Sequence, residues 1–351
     1  MEIKYTIQGL LIYITIAAYA VGFLLAIFRI RKPASVVYFL GFLASIAAFV
    51  YRWIHVQHVP MQNLFEVFLT LGMVIWPLSL FSRKVLRISA GPGDSGDMLM
   101  GLIVLFPAAF LKKFSADPQM LPPALQCWLF APHVAVYMLS YMMMAKANYL
   151  AFGRILKELK YSLPVRFFLS LTATIFSYLI ALPITLKFSE DPHFQILRIK
   201  DLALKIHTIP LVTAILTGIC VFIFVKLLIA VLQFLTRVFY VKSEDLGDLL
   251  PYEDATYLMV KIGFPFLTLG LILGSWWGKL AWGDYWGWDP KELWSLVSWL
   301  VFLGYFHFRA LYGKKYSRTN SVLAILGMVA IIITLLWANL SRLFEGMHSY
   351  A

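Results

Sequence analysis

The chain has 351 residues, 61% of them hydrophobic and 14% charged, with a mean hydropathy of +0.79. Soluble domains run at about 45–50% apolar and about 25% charged, and a single core does not grow large enough to hide this excess, so a water-soluble fold is excluded; disorder is excluded too, because it needs low hydrophobicity. A net charge of +12 would suggest nucleic acid on a soluble surface, whereas on a membrane chain it reads first as topology.

Apolar runs recur at 6–28, 34–53, 64–82, 97–111, 132–153, 165–186, 207–235, 255–276, 290–312 and 321–343. At about 20 residues per crossing, they predict ten spans in an all-α polytopic bundle that forms one membrane domain over 1–351. No β-barrel alternation is present, so each span is expected to satisfy its own backbone as a helix. The fourth run is short and is expected to tilt little or to be re-entrant. The first run is too long for the apolar part of a secretion signal, and its basic cluster Arg29, Arg31 and Lys32 follows rather than precedes it. It is therefore expected to stay as a span with its N-terminus outside. On that assignment 16 of the 30 basic residues fall on inner connections and 11 on outer segments, which favours an N-out, C-out topology. Cys127 and Cys220 stand far apart with no CxxC, so the chain is neither a dithiol redox enzyme nor a disulfide scaffold.

Seven of the 11 tryptophans, Trp276, Trp277, Trp282, Trp286, Trp288, Trp294 and Trp299, lie within 24 residues. An interfacial aromatic belt accounts for indoles at the headgroup level, but not for the glycines interleaved through 282–290. Glycine lets the backbone bend closely while flat rings face a common cavity, a surface suited to a large planar aromatic ligand. Directly after it, Asp289, Pro290 and Glu292 have the pattern of N-cap, first helical residue and capping-box partner. The same two carboxylates can be simple caps, or the helix start they create can receive a ligand carboxylate.

Gly263-Phe264-Pro265 through Arg309, with WGDYWGWDPKELW inside it, closely resembles the haem-handling WWD family, and within it the CcsA-type (ResC-like) component of cytochrome c biogenesis. The resemblance extends to Pro60-Met61-Gln62-Asn63-Leu64-Phe65-Glu66, to Pro132-His133-Val134 with Leu139-Ser140-Tyr141, and to Gly346-Met347-His348-Ser349-Tyr350. Relatives lack an equivalent of 165–235, which reads as a two-span insertion. An even number of added spans keeps everything downstream on its side.

Two outer-face imidazoles, His133 and His348, flank the tryptophan segment and can supply both axial ligands of a haem iron; taken singly, each would be an interfacial histidine, and the resemblance gives the pair the ligand role. His307 lies 17 residues beyond Pro290, about 25 Å along a helix at 1.5 Å per residue. An ionisable group at that depth is a functional candidate. The resemblance makes it one ligand of a second haem site, with the opposing ligand expected from a CcsB/ResB-type membrane subunit. His55, His58 and His193 read as outer-surface residues, and His207 is poorly placed to oppose His307. Glu66 is a helix cap or a haem contact; Lys279, Lys291 and Arg342 are outer cations able to meet haem propionates.

The resemblance thus implies a cytochrome c synthase subunit: haem b is held at an outer loop over 276–294 by His133 and His348, with Trp282, Trp286, Trp288, Asp289 and Trp294 around it. The CxxCH segment of an apocytochrome c is joined to it there. The expected location is the bacterial cytoplasmic membrane with the site on its outer face, or the thylakoid membrane in a plastid, with lipid and no nucleic acid as surroundings. Three other readings stay open: a haem chaperone or exporter without ligation activity, a solute transporter with an aromatic gate, and a structural subunit with an aromatic belt.

Overall fold

The computed structural model describes residues 6–88, 94–110, 117, 120–158, 171, 174, 212, 214–228, 230–231 and 250–337. These are helical, with no strand among the described residues. The chain divides into two compact units, Met1–Ile155 with Arg237–Ala351, and Leu156–Thr236. The helices are α1 (Ile7–Ile27), α2 (Arg31–Val56), α3 (Leu64–Lys84), α4 (Ser95–Phe110), α5 (Phe130–Glu158), α6 (Ala214–Leu228), α7 (Tyr252–Trp282), α8 (Pro290–Tyr312) and α9 (Ser317–Ile332). A π-turn, Ile333–Trp337, continues α9.

Five stretches have the length and apolarity to cross a membrane: Ile7–Ile27, Arg31–Val56, Leu64–Lys84, Tyr252–Trp282 and Pro290–Leu336. The last is broken at Gly313, whose φ of +61° opens the 3-10 turn Gly313–Tyr316 between α8 and α9. Two further apolar helices, α4 and α6, are shorter. The expected sixth span, 165–186, lies outside the described residues apart from two positions. Helix α5 has the length of a span but carries His133, Ser140, Lys146 and Arg154. Each of these four is engaged. Ser140 donates to the Gly263 carbonyl at 2.9 Å, Lys146 and Asp97 pair at 2.7 Å with both side chains buried, Arg154 lies 3.8 Å from Glu253, and His133 donates to the Gly270 carbonyl. Polar groups on a span survive in this way, turned inward and paired.

Helices α1 to α4 pack around Tyr19, which is fully buried. Its hydroxyl donates to the Gly72 carbonyl of α3 at 3.2 Å. A Cβ on Gly41 or Gly101 would lie 2.7 or 2.5 Å from its ring, so glycines on α2 and α4 create the slot it fills. Lipid supplies no hydrophobic drive between helices, and close approach through small residues is what holds them.

Arg52, one of the basic residues of the outer segments in the expected topology, is 3% exposed and paired with Glu66 at 2.8 Å. Glu66 also accepts from the Gln62 backbone N–H, while the Asn63 side chain caps the Glu66 N–H. The Glu66 carboxylate is thus held by Arg52 and the Gln62 N–H, while Asn63 caps α3. At the start of α7 and the end of α8, Glu253 and Asp254 gather Arg154, Arg309, Lys314 and Asn320 into one network. Arg154, Arg309 and Lys314 are among the basic residues of the inner connections in the expected topology, and carboxylates face all three.

Candidate functional site

The site grows from the seam between α5 and α7, which run antiparallel. His133, Tyr137, Ser140 and Met144 on α5 meet Gly274, Gly270 and Gly263 on α7. A Cβ at Gly274 would stand 2.5 Å from the His133 Cε1, and one at Gly270 would stand 2.9 Å from the Tyr137 ring. The His133 Nδ1 lies 3.0 Å from the Gly270 carbonyl oxygen. A carbonyl only accepts, so Nδ1 carries the proton and Nε2 is the basic nitrogen, the one that can bond a metal.

Two rings fix the plane of this imidazole. Trp277 stacks on it at 5.9 Å with planes 16° apart, and Tyr137 meets it edge-on at 5.0 Å. Trp277 is 2% exposed and donates its indole N–H to the Ala124 carbonyl at 2.9 Å, which ties α7 to the turn before α5. Around them opens a cavity with about 1070 Å³ of empty space, mouth included. Met61, Leu125, Tyr137 and Leu271 give it apolar walls, while Lys291, Glu292 and Ser295 bring polar groups to it.

The connection between α7 and α8 is shorter than the loop expected over 276–294: helix runs through Trp282 and resumes at Pro290. Gly283, with φ +89°, ends α7. Asp289 caps α8 through a bond from the Lys291 N–H at 2.9 Å, and Glu292 reaches back to the Asp289 N–H, completing the predicted capping box. Glu292 also accepts from the Gly287 N–H at 2.8 Å. Trp288 takes φ +57°, a backbone conformation that bulky residues rarely adopt.

Seven rings around one cavity is not what the structure holds. Trp277 and Trp286 line the His133 cavity. Trp276, Trp286 and Trp299 line a separate groove. Trp282 packs edge-on against Trp277 at 4.6 Å, and Trp288 is 71% exposed. Trp294 and Asp289 are on or beside α8 and do not border the cavity; Asp289 acts one step away by building the helix start that carries Lys291. His307 is exposed on α8, with Nδ1 2.9 Å from the Leu303 carbonyl one turn earlier. His348 and Arg342 lie outside the described residues, as do His193 and His207.

Sequence reasoning missed Tyr137, Gly270 and Gly274. The glycines did carry a signal, since 263, 270 and 274 share one helix face, but a face of small residues does not say which residue presses into it.

Fold and site together define a polytopic helical membrane protein with a histidine held between aromatic rings at an open cavity. The chain belongs to the cytochrome c assembly protein family, whose sequence profile matches residues 34–348. It is 28% identical over 299 residues to the cytochrome c biogenesis protein CcsA of Synechococcus elongatus, covering 85% of this chain and 81% of that one. It is 30% identical over 312 residues to the protein of that name from Cyanophora paradoxa, with 85% and 81% covered. A 98-residue stretch is 45% identical to the Trichormus variabilis protein of that name, covering 28% and 27%. The chain is accordingly a membrane protein with a role in cytochrome c maturation.

Proposed function

We propose that the His133 cavity receives haem b as a substrate and that the chain works as a subunit of a cytochrome c synthase, with a CcsB/ResB-type subunit as its partner. The carrying observation is the His133 ring at the cavity: its Nδ1–H is given to the Gly270 carbonyl and its face to Trp277, and in this reading Nε2 is the nitrogen that bonds iron. Haem-ligating histidines depend on such a bond to fix tautomer and ring orientation. In this reading His348 provides the second axial ligand, and the cavity lies at the outer face of an N-out, C-out bundle in the bacterial cytoplasmic membrane or the thylakoid.

Each residue then has a positional task. Trp277 and Trp286 offer ring faces and edges to the macrocycle. Lys291, at the start of α8, meets a propionate as a charge-assisted contact. Trp282 supports Trp277, and Asp289 holds the helix start; Trp288 and Trp294, set away from the cavity, face the approaching apocytochrome or the partner. His307 serves a second haem site with a ligand from the partner subunit. The bound haem supplies vinyl groups, and each CxxCH thiol adds across one: sulfur bonds to one vinyl carbon and the thiol hydrogen ends on the other. No external oxidant enters. The chain's contribution is positioning of the reactants.

Co-expression of this chain and its partner with an apocytochrome c, in a host lacking other maturation systems, tests the reading. Covalent haem on the apocytochrome, lost in His133→Ala, is the expected result. Haem retained on the membrane complex without covalent product would instead identify a chaperone.

A further inference from the structure

The turn between α2 and α3 forms one wall of the His133 cavity, where Met61, Gln62 and Asn63 line it beside Leu64 and Val67 of α3. Groups on the neighbouring helices set the shape of this turn. The Thr70 hydroxyl donates to the Pro60 carbonyl at 3.0 Å, and the Gln62 backbone N–H donates to the Glu66 Oε2 at 2.8 Å. The other Glu66 oxygen accepts from the Arg52 Nε at 2.9 Å and lies 2.8 Å from its Nη2. Both side chains are buried, Glu66 completely. Arg52 also donates to the Asp117 carbonyl at 3.4 Å, which ties the segment before α5 to the same pair. Met61, carried by the turn, packs on the cluster of Leu125, Leu129, Phe130 and Trp277, and Trp277 stacks on His133.

We propose that Glu66 is a positioning residue of the haem site: through the Gln62 N–H it fixes the turn and so seats Met61 against the layer that orients His133, while Arg52 holds the carboxylate in place. The proposal rests on the haem reading of the cavity. Two observations separate this role from helix capping and from stability. In a capping box the third helical residue reaches back to the N-cap N–H. Glu66 reaches one residue further, to Gln62, which lies outside the helix, and the cap of α3 is supplied by Asn63, whose side chain accepts from the Glu66 N–H at 3.0 Å. The carboxylate thus faces α2 with one oxygen and the cavity wall with the other. Stability alone does not call for such a pair either. Desolvating two charges opposes folding, and apolar residues of similar volume often replace a buried pair without loss of stability. An apolar replacement fills the space but cannot accept the Gln62 N–H, so what it would lose is the fixed position of the wall.

Two double variants test it, Arg52→Met with Glu66→Leu and Arg52→Met with Glu66→Gln. Both remove the two charges, but only the second keeps an oxygen for the Gln62 N–H. The full chain in nanodiscs is titrated with haemin, the His133-dependent Soret band is followed, and thermal unfolding of the haem-free protein is recorded alongside. The glutamine variant is expected to bind as wild type does, and the leucine variant about tenfold or more weakly, with the two melting temperatures alike. Equal affinity in the two would overturn the proposal. Where the leucine variant melts lower or does not fold, Met61→Ala decides, since it removes the contact on the Trp277 cluster and leaves the ion pair intact. Weaker haemin binding at an unchanged melting temperature supports the proposal there, and wild-type affinity overturns it. A wild type with no His133-dependent band contradicts the haem reading itself and not the positioning role alone.

Discussion

Gly274 leaves no room for even one more carbon beside His133, and this makes the imidazole position depend on a residue with no side chain. Gly274→Ala is expected to lower haem affinity 10- to 100-fold, the usual cost of disturbing what orients a metal-ligating histidine. A spectroscopic titration measures it, and added imidazole should restore the bound spectrum; wild-type affinity in that variant would mean the ring is held otherwise. Asp289, by contrast, belongs to the backbone of α8. Asp289→Ala should cost about 1 kcal/mol of stability through the lost cap, read as a lowered melting temperature, while Asp289→Ser should recover most of it. A third residue gives a pH effect. Asp94, just before α4, is pushed up to about 6 from an ordinary 3.8 by burial and by Asp97, against the pull of Arg83 and Lys146. The folded protein therefore holds this proton more tightly than the unfolded chain, and stability falls as pH rises from about 4 to about 6. Asp94→Asn should flatten that part of the pH–stability curve, and an unchanged slope would show that the carboxyl is not the titrating group.

Helix ends were the most legible elements, because their signals are local. The Asp289–Pro290–Glu292 start of α8 is a capping pattern written in consecutive residues, and it forms. The α5–α7 seam was only half legible: the glycine spacing marks a close contact, but its partners Tyr137 and His133 come from a helix 120 residues and more away in sequence. The tryptophan cluster was misread as one shelf for a related reason. Proximity along the chain does not fix which side of a helix a ring takes, and residues 276 and 277 already point to different spaces. Pairing across elements was hidden altogether, as with Lys146, which lies inside an apolar run of the sequence and is buried against Asp97. Breaking such a pair leaves an uncompensated buried charge. Lys146→Met alone should cost about 3–5 kcal/mol, and Lys146→Met with Asp97→Leu should recover much of it; thermal unfolding in nanodiscs compares them, and equal losses in single and double variants would contradict the pairing argument.

At the scale of the whole molecule, composition alone was enough to call for a helical membrane protein, since no other class tolerates so much apolar sequence. Orientation is a subtler matter. Part of the positive excess that suggests an inner side, Arg154, Arg309 and Lys314, is answered by Glu253 and Asp254. The N-out, C-out proposal predicts that, in a chain lacking Cys127 and Cys220, a cysteine at Tyr285 is labelled from outside the cell and one at Lys315 only after permeabilisation; the reverse pattern would invert the site. The central claim is that His133 bonds the iron of a haem held in the cavity between α5, α7 and α8. Low-temperature electron paramagnetic resonance of the oxidised complex tests it most directly. The account predicts a low-spin, six-coordinate signal in wild type and in His307→Ala for the outer site, converted to high spin in His133→Ala and returned to low spin by imidazole. An identical low-spin signal in His133→Ala and wild type would contradict it.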